Sequence, residues 1–308
     1  MRKPKVGVIG TGQVGTQFAV HLSLSRLADM VLVDINGDLA SAKMLELQDL
    51  CAALGVKIEI ESSKSLKKLR DCQIIVVTAG LTRSPGMERM HLLENNLKII
   101  KTISLDLKKL FFKGILIMVT NPLDIMTYVA YKILKIDRSR VIGMGCSLDT
   151  YRLKGILSRR FKDINPQDID TFVIGEHGKG MVPLFSTTFI GGRPIVDLLS
   201  EEKLLSIKEE VIQRGAHIVS FYKGKGSAHL APGFCVFEIV RSILLDESRV
   251  IPVSVFLDGE YKRRGLCIGV ACRISKEGAF FYHLPLSSKE QEWFDTSCHN
   301  IIKCIKSL

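Results

Sequence analysis

Long apolar runs are missing from this 308-residue sequence, although 46% of its residues are hydrophobic. The longer runs, such as residues 114–119, have the length of a strand and are too short to cross a bilayer. The first residues, Met1-Arg2-Lys3-Pro4, carry positive charge, but the apolar run after them is short and is interrupted by glycines. We therefore expect no membrane span and no signal peptide, and we expect a cytoplasmic protein.

The sequence also lacks the cysteine spacings that are typical of metal sites. Its eight cysteines include no CxxC pair, and most of them lie among apolar residues. Cys267 and Cys272 fall in one predicted strand, where a separation of five residues places them on opposite faces. We expect reduced thiols in the core, as in a reducing compartment, and no metal site.

Acidic residues are outnumbered and aromatic residues are scarce. There are 43 Lys and Arg against 32 Asp and Glu, which gives a net charge of +11, and aromatics make up 7% of the chain. The basic clusters, such as Lys67-Lys68 and Arg159-Arg160, are short and are not interleaved with aromatics. This pattern favours a solvated surface over a nucleic-acid interface. A positive field of this kind would speed the arrival of anionic ligands.

Strand-like and helix-like segments alternate in the first half of the chain. This alternation predicts an α/β fold with a doubly wound parallel sheet over residues 1–145. The predicted strands are 5–9, 30–34, 57–60, 73–78, 115–119 and 141–144, and the helices between them are 14–24, 37–53, 91–110 and 122–134. Residues 146–308 show helix-like and strand-like segments in a different order, which predicts a C-terminal α+β domain continuous with the first. Its helices are 149–161, 201–222, 234–245 and 289–305, and its strands are 171–174, 187–190, 250–257, 265–274 and 279–283.

A glycine-rich turn follows the first predicted strand at once. The turn Gly10-Thr11-Gly12-Gln13-Val14-Gly15 leads into an apolar helical stretch. The first glycine permits the tight turn, the second lets the backbone approach a pyrophosphate, and the third lets the helix pack closely on the strand. An anion at such a turn lies at the helix N-terminus. The alternative is a glycine-rich connection without a ligand, but the strand before and the helix after it favour a dinucleotide site in a Rossmann fold.

The second predicted strand ends in Asp34, nineteen residues beyond Gly15. This is close to the roughly 20-residue spacing at which an acid bonds the ribose hydroxyls of a dinucleotide. The carboxylate would repel a 2′-phosphate, and no basic residue directly follows it. The sequence therefore favours NAD over NADP, although Asp34 is also compatible with capping the next helix.

Three residues of the second half could together oxidise a hydroxy acid. His177 lies in Gly175-Glu176-His177-Gly178, where glycines allow close approach of a ligand, and a histidine suits the removal of a hydroxyl proton near neutral pH. Asp149 and Arg152 are three residues apart in a predicted helix and would face one pocket. The aspartate could hold the imidazole in one tautomer, and the arginine could bind a carboxylate. Without the other motifs, a surface ion pair would be the simpler interpretation.

In order along the chain, these motifs resemble those of the lactate/malate dehydrogenase family. The resemblance covers nearly the whole sequence and includes Thr78-Ala79-Gly80, Thr120-Asn121-Pro122 and Gly226-Ser227-Ala228. It implies the family's fold, NAD as the cofactor, and a homo-oligomer, either a dimer or a tetramer. It also implies the remaining cofactor contacts, which are Thr11, Gln13, Val14, Asn96, Val119, Thr120 and Asn121.

The segment Leu81-Thr82-Arg83-Ser84-Pro85-Gly86-Met87-Glu88-Arg89 resembles the substrate loop of that family. Arg89 matches the residue that closes over the substrate, and Asn121 matches one that orients it. Arg83 matches a position that is typically glutamine in lactate enzymes and arginine in malate enzymes. A buried arginine needs the second carboxylate of a diacid as its counter-charge and disfavours a methyl group. The resemblance thus implies a dicarboxylate, malate or oxaloacetate, as substrate.

One departure from the family pattern concerns the histidine. Lys179 stands where the family usually has an acidic residue, and a positive charge there is expected to lower the proton affinity of His177. Two alternatives stay open at this point. One is a lactate dehydrogenase with an unusual loop, and the other is a member that has lost catalysis and serves as an NAD-binding or nucleic-acid-binding module.

Overall fold

The computed structural model describes residues 3–81, 89–223 and 226–308, with only the backbone for residues 89 and 90. Within these ranges the chain forms fourteen strands and nine helices. The strands are β1 (Lys5–Ile9), β2 (Asp29–Val33), β3 (Ile60–Ser63), β4 (Ile74–Val77), β5 (Ile115–Met118), β6 (Val141–Gly143), β7 (Ile169–Asp170), β8 (Val173–Gly175), β9 (Met181–Pro183), β10 (Phe189–Ile190), β11 (Arg193–Pro194), β12 (Arg249–Asp258), β13 (Arg264–Ser275) and β14 (Gly278–Phe281). The helices are α1 (Gln13–Ser25), α2 (Gly37–Ala53), α3 (Arg89–Lys109), α4 (Leu123–Leu134), α5 (Cys146–Arg160), α6 (Ile195–Leu198), α7 (Glu201–Phe221), α8 (Leu230–Leu244) and α9 (Ser288–Lys306).

The first six strands form a parallel sheet in the order β3-β2-β1-β4-β5-β6. The chain winds outward from β1 to one side and then returns to wind outward from β4 to the other. The crevice where the winding direction reverses, at the carboxyl ends of β1 and β4, is where such sheets bind ligands. The predicted doubly wound parallel sheet is confirmed.

The second half of the chain extends the same sheet with antiparallel strands. After β6 the order continues as β12-β13-β8-β9, β14 pairs with β13, and the sheet has eleven strands. A smaller sheet of β11, β10 and β7 lies apart from it. The predicted α+β half is therefore joined to the parallel half through hydrogen-bonded strands, which fixes residues of both halves relative to each other.

Most predicted elements agree with the structure to within three residues at each end, but α8 begins four residues before its predicted start, and β3 is displaced by three residues at both ends. Helix α2 begins and ends as predicted, and its start is fixed by the Asn36 side chain, which accepts a bond from the Leu39 backbone N–H at 3.2 Å. The strand predicted at 57–60 instead runs from Ile60 to Ser63. Pairing with β2 decides its register, since Ser63 lies opposite Val33 in the parallel ladder. The sequence alone carries little signal for such a polar edge strand.

Two hydrophobic clusters hold the layers together. The larger one lies between the main sheet and its helices, and the smaller one lies around α5, α7 and the three-stranded sheet. All eight cysteines are free, and only Cys304 among them is partly exposed. No helix in the described part of the chain has the length and apolar character needed to cross a membrane.

The core position of Phe294 in α9 generates a stability prediction. Its ring is fully buried and packs edge-on against Tyr261, with the ring centroids 5.2 Å apart. Phe294→Ala should destabilise the folded protein by about 3–5 kcal/mol, because it removes buried surface and leaves a cavity. Denaturant unfolding at fixed protein concentration would measure this loss.

A matched control is Phe111→Ala, since the Phe111 side chain is 82% exposed. This change should alter stability by less than about 0.5 kcal/mol. Equal effects of the two substitutions would contradict the assignment of Phe294 to the core.

Candidate active site

The glycine-rich turn connects β1 to α1 at the reversal point of the sheet. Gly10 has φ +97°, and a Cβ on it would lie 2.6 Å from the Ala79 backbone nitrogen. A Cβ on Gly15 would lie 2.1 Å from the Gly10 carbonyl oxygen, so helix and turn approach too closely for any side chain. A Cβ on Gly12 would meet nothing within 4 Å. The turn therefore presents open backbone at the start of α1, which suits a bound pyrophosphate.

Asp34, after the end of β2, reaches back to this turn. Its Oδ2 accepts a bond from the Thr11 backbone N–H at 2.7 Å and one from the Thr11 hydroxyl at 3.0 Å. Its Oδ1 accepts from the Asn36 backbone N–H at 2.9 Å, while Asn36, not Asp34, caps α2. A carboxylate offers about four acceptor positions, so Asp34 retains capacity for a ribose hydroxyl. The carboxylate lies beside the phosphate turn, as a dinucleotide site requires.

The predicted contacts at Val119, Thr120 and Asn121 follow β5 directly. Val119 and Thr120 are buried, and the Thr120 hydroxyl donates to the Ala79 carbonyl at 2.7 Å. The Asn121 side chain is exposed, so its amide is available to a ligand. Near the turn itself, the Ser227 N–H donates to the Gln13 side-chain oxygen at 3.4 Å, and Val14 is partly buried against the main core.

Asn96 differs from the other predicted contacts, because its amide is nearly fully buried and bonds to backbone. Its oxygen accepts from the Leu81 N–H at 2.7 Å, and its nitrogen donates to the carbonyls of Leu81 and Asn121, at 3.2 and 2.7 Å. Asn96 thus ties together the segments after β4 and β5. In this conformation it positions two ligand-facing segments, and its own amide is used within the protein.

His177 and Asp149 form a buried pair. His177 follows the end of β8, and its Nδ1 lies 2.7 Å from the Asp149 Oδ2 on α5. The Asp149 side chain is fully buried, and the His177 side chain is 12% exposed. A hydrogen on Nδ1 donates to the carboxylate, which leaves Nε2 as the nitrogen that can exchange a proton with a ligand.

Arg152 completes the group from the next turn of the same helix. Its guanidinium nitrogen lies 3.2 Å from the other Asp149 oxygen, Oδ1. One carboxylate therefore joins an imidazole and a guanidinium, and the structure brings together the three residues that the sequence indicated. The remaining donors of the guanidinium can bind a carboxylate ligand.

The pKa of His177 is raised above its ordinary value. Burial alone lowers it, but the charge of Asp149 and the hydrogen bond to it act in the opposite direction and prevail, with a smaller contribution from Asp124. Arg152 lowers it, and Lys179 is exposed. The pKa of His177 is raised despite the nearby positive charge of Lys179, because the buried carboxylate of Asp149 dominates.

The structure describes the two arginines of the predicted substrate loop to different extents. Arg83 lies outside the described residues, and Arg89 begins α3 with only its backbone described. A cavity of about 280 Å³ does open beside Arg152, between α5, α7 and the segment 228–232. Arg152 lines this cavity and also bonds Asp149, so the cavity borders the histidine group. Within the described residues, no cluster of three or more His, Cys, Asp or Glu could hold a metal ion.

Asp124 is a residue of the site that the sequence analysis missed. It lies in the first turn of α4, and its Oδ2 accepts the backbone N–H of His177 at 2.8 Å. Its Oδ1 accepts the hydroxyl of Ser254 on β12 at 2.6 Å. The signal that could have found it is its position three residues after Asn121, since the first turn of a helix after a sheet edge faces the ligand crevice.

Burial makes the charge of Asp124 unfavourable for folding. Burial raises its pKa to about 6, against the bonds from Ser254 and from the His177 backbone, which lower it. A carboxyl pKa that is higher in the folded state stabilises the protein at low pH, and this contribution is lost as pH rises from about 4 through about 6. At neutral pH Asp124 therefore carries a buried negative charge. This charge favours the imidazolium form of His177.

We predict that Asp124→Asn lowers the pKa of His177. The amide can still accept from the His177 N–H and contact Ser254, but it no longer supplies a negative charge to the imidazole. Titration of the His177 ring protons by NMR would measure the change. Asp163→Asn, at an exposed position, is the control and should leave that titration unaltered. An unchanged His177 titration in a folded Asp124→Asn protein would show that Asp124 acts on the backbone alone.

Comparison with known proteins agrees with this geometry. Residues 4–143 match the family model described as lactate/malate dehydrogenase, NAD binding domain, and residues 146–308 match the one described as lactate/malate dehydrogenase, alpha/beta C-terminal domain. The chain is 33% identical to a malate dehydrogenase of Desulforudis audaxviator, covering 100% of this chain and 99% of that one.

Solved structures of the same kind superpose over the full length. The malate dehydrogenase of Cryptosporidium parvum gives a TM-score of 0.94 at 31% identity and covers 100% of both chains. The lactate dehydrogenase of Eimeria maxima with NADH and oxamate gives 0.94 at 30% identity and covers 100% of this chain and 94% of that one. The chain belongs to the lactate/malate dehydrogenase family.

Proposed function

We propose that the protein is an NAD-dependent malate dehydrogenase that interconverts (S)-malate and oxaloacetate. The observation that carries this proposal is the buried carboxylate of Asp149, which bonds both an imidazole and a guanidinium beside the cavity. An acid–base group next to a carboxylate-binding group is what the oxidation of a 2-hydroxy acid requires. L-Lactate dehydrogenase is the second candidate, because neighbours with that name share the fold at similar identity.

We propose that NAD lies along the glycine-rich turn and the ends of β4 and β5. The turn residues Gly10 to Gly15 would hold the pyrophosphate, and Asp34 would hold the adenosine ribose. Residues 119–121 would line the nicotinamide side, with Asn96 keeping their backbone in place. When bound, the cofactor accepts a hydride from the alcohol carbon or returns it to the ketone.

We propose the following roles for the protein groups in the reaction. In malate oxidation, Nε2 of neutral His177 takes the hydroxyl proton, and Asp149 stabilises the imidazolium that forms. Arg152 binds the carboxylate next to the reacting carbon, and Asn121 orients the substrate. We propose that Arg89 stabilises the developing carbonyl and that Arg83 binds the second carboxylate.

We also propose a division into domains, an oligomeric state and a cellular location. We place the NAD-binding domain at residues 1–145 and the substrate domain at residues 146–308. A homo-oligomer, either a dimer or a tetramer, accords with the family. A cytoplasmic location accords with the free cysteines. The alternative of a member that has lost catalysis is disfavoured, since a binding module has no need of the joined histidine, aspartate and arginine.

The test of substrate is a comparison of oxaloacetate with pyruvate at matched concentrations, followed by NADH absorbance. We expect kcat/KM to favour oxaloacetate by about tenfold or more, because a charge-assisted bond to Arg83 contributes about 1.5–3 kcal/mol. Arg83→Gln should reduce or reverse the preference. Arg70→Gln removes an exposed arginine and should not change it. A wild-type preference for pyruvate would keep the family and overturn malate as the substrate.

The raised pKa of His177 generates a prediction on pH dependence. Oxaloacetate reduction needs protonated His177, so its kcat/KM should fall as pH rises through the histidine pKa, which lies above the ordinary 6.5. In Asp149→Asn the main causes of the raised pKa are gone, only the smaller effect of Asp124 remains, and burial lowers the pKa, so the fall should occur at lower pH. Activity at pH 7.5 should drop by about a hundredfold or more.

Asp163→Asn serves again as the charge-matched control for this profile. NADH binding, followed by fluorescence, should persist in Asp149→Asn and would show that the protein remains folded. A pH profile in Asp149→Asn that matches the wild type would rule out His177 as the group whose protonation Asp149 supports.

A further inference from the structure

The wall of the cavity on helix α7 carries a second arginine. Arg214 and Ile218 lie four residues apart on one face of the helix, Tyr222 follows its last residue, and all three line the cavity. Arg152 lines the same cavity from α5. The residue after Arg214 is Gly215, and a Cβ built on it would lie 3.3 Å from a guanidinium nitrogen of Arg152. Helix α7 therefore packs against Arg152 at the level of Arg214.

Arg214 differs from the other arginines of this region in having no acidic partner. Asp149 pairs with Arg152, and Glu210 pairs with both Arg159 and Arg160, at 3.2 and 2.9 Å. Within the described chain, no carboxylate lies at ion-pairing distance from Arg214, and no Asp or Glu lines the cavity. The cavity is thus lined by two arginines, of which only Arg152 has an acidic partner, Asp149, and that partner does not line the cavity.

The lack of an acidic partner for Arg214 indicates the charge of the ligand. A cavity of about 280 Å³ is near the lower limit of the roughly 300–1,000 Å³ typical of ligand sites, which suits a small acid. A monocarboxylate bound to Arg152 leaves the second guanidinium without a counter-charge, and an unpaired charge becomes costly once a site closes to water. A second anionic group on the ligand satisfies it.

We propose that Arg214 is a specificity-determining residue that binds the second carboxylate of a dicarboxylic 2-hydroxy or 2-oxo acid. This inference rests on the proposed function and adds to it a residue of α7 as a second group, besides Arg83, that binds this carboxylate. The two arginines can act together, because a carboxylate has about four acceptor positions and an arginine uses at most two of them in a bidentate contact.

Steady-state kinetics with oxaloacetate and pyruvate test the role of Arg214. Arg214→Gln should raise KM for oxaloacetate about ten- to hundredfold, since it removes a charge-assisted contact, and should leave KM for pyruvate and kcat for both acids within about twofold. Arg214→Lys keeps the charge but loses the planar fork, so it should recover part of the loss. Arg193→Gln removes the same charge at an exposed position outside the cavity and should behave as wild type.

The outcomes separate this inference from the proposed function. If the wild type prefers oxaloacetate, Arg83→Gln abolishes the preference and Arg214→Gln does not alter it, then Arg214 has no part in recognition and only this inference fails. Equal losses with oxaloacetate and pyruvate in Arg214→Gln would indicate a structural role and would also overturn it. A wild type that prefers pyruvate overturns both proposals together.

Discussion

The buried carboxylate of Asp149 is the interaction on which the rest of the site depends. A fully buried charge costs several kcal/mol unless it is paired and hydrogen-bonded, and each oxygen of Asp149 meets one cationic or potentially cationic partner. Removing the aspartate would leave an arginine without its internal counter-charge and a histidine without an acceptor. The same side chain thus fixes the imidazole tautomer, orients the guanidinium and sets the proton affinity of His177.

The sheet explains how residues far apart in sequence reach this carboxylate. The parallel strands deliver the phosphate turn after β1 and the 119–121 segment after β5 to one edge, where the winding reverses. Antiparallel β12 and β13 then attach β8, which ends at Gly175, two residues before His177. Ser254 on β12 bonds Asp124, which bonds the His177 backbone. The histidine is therefore held by strands of the second half and by a helix of the first.

Sequence patterns predicted the elements whose signals are local. The limits of α2 followed from its helical pattern, although the residue that caps it is Asn36 and not Asp34, and the glycine turn followed from the strand before it. The position of β3 was wrong by three residues because pairing with β2 decides it. Motif order was sufficient to bring His177, Asp149 and Arg152 together as candidates. Asp124 was missed because its significance lies in a contact with His177, 53 positions away. Arg214 was missed because its significance lies in a cavity that three elements form together.

The charges around His177 also imply that substrate binding and protonation are coupled. Asp149 and Asp124 favour the imidazolium, and Arg152 opposes it through its own positive charge. A carboxylate bound to Arg152 neutralises that opposing charge, so the pKa of His177 should rise further when an acid occupies the site. Because linkage is reciprocal, a protonated histidine must in turn favour binding of the acid. The ketone accepts a hydrogen bond from the imidazolium, so this coupling favours its binding. The alcohol donates its proton to neutral Nε2, so its reactive complex is not favoured in this way. Asp124, whose charge is unfavourable for folding, also favours the imidazolium, which gives a functional reason for its presence in the core.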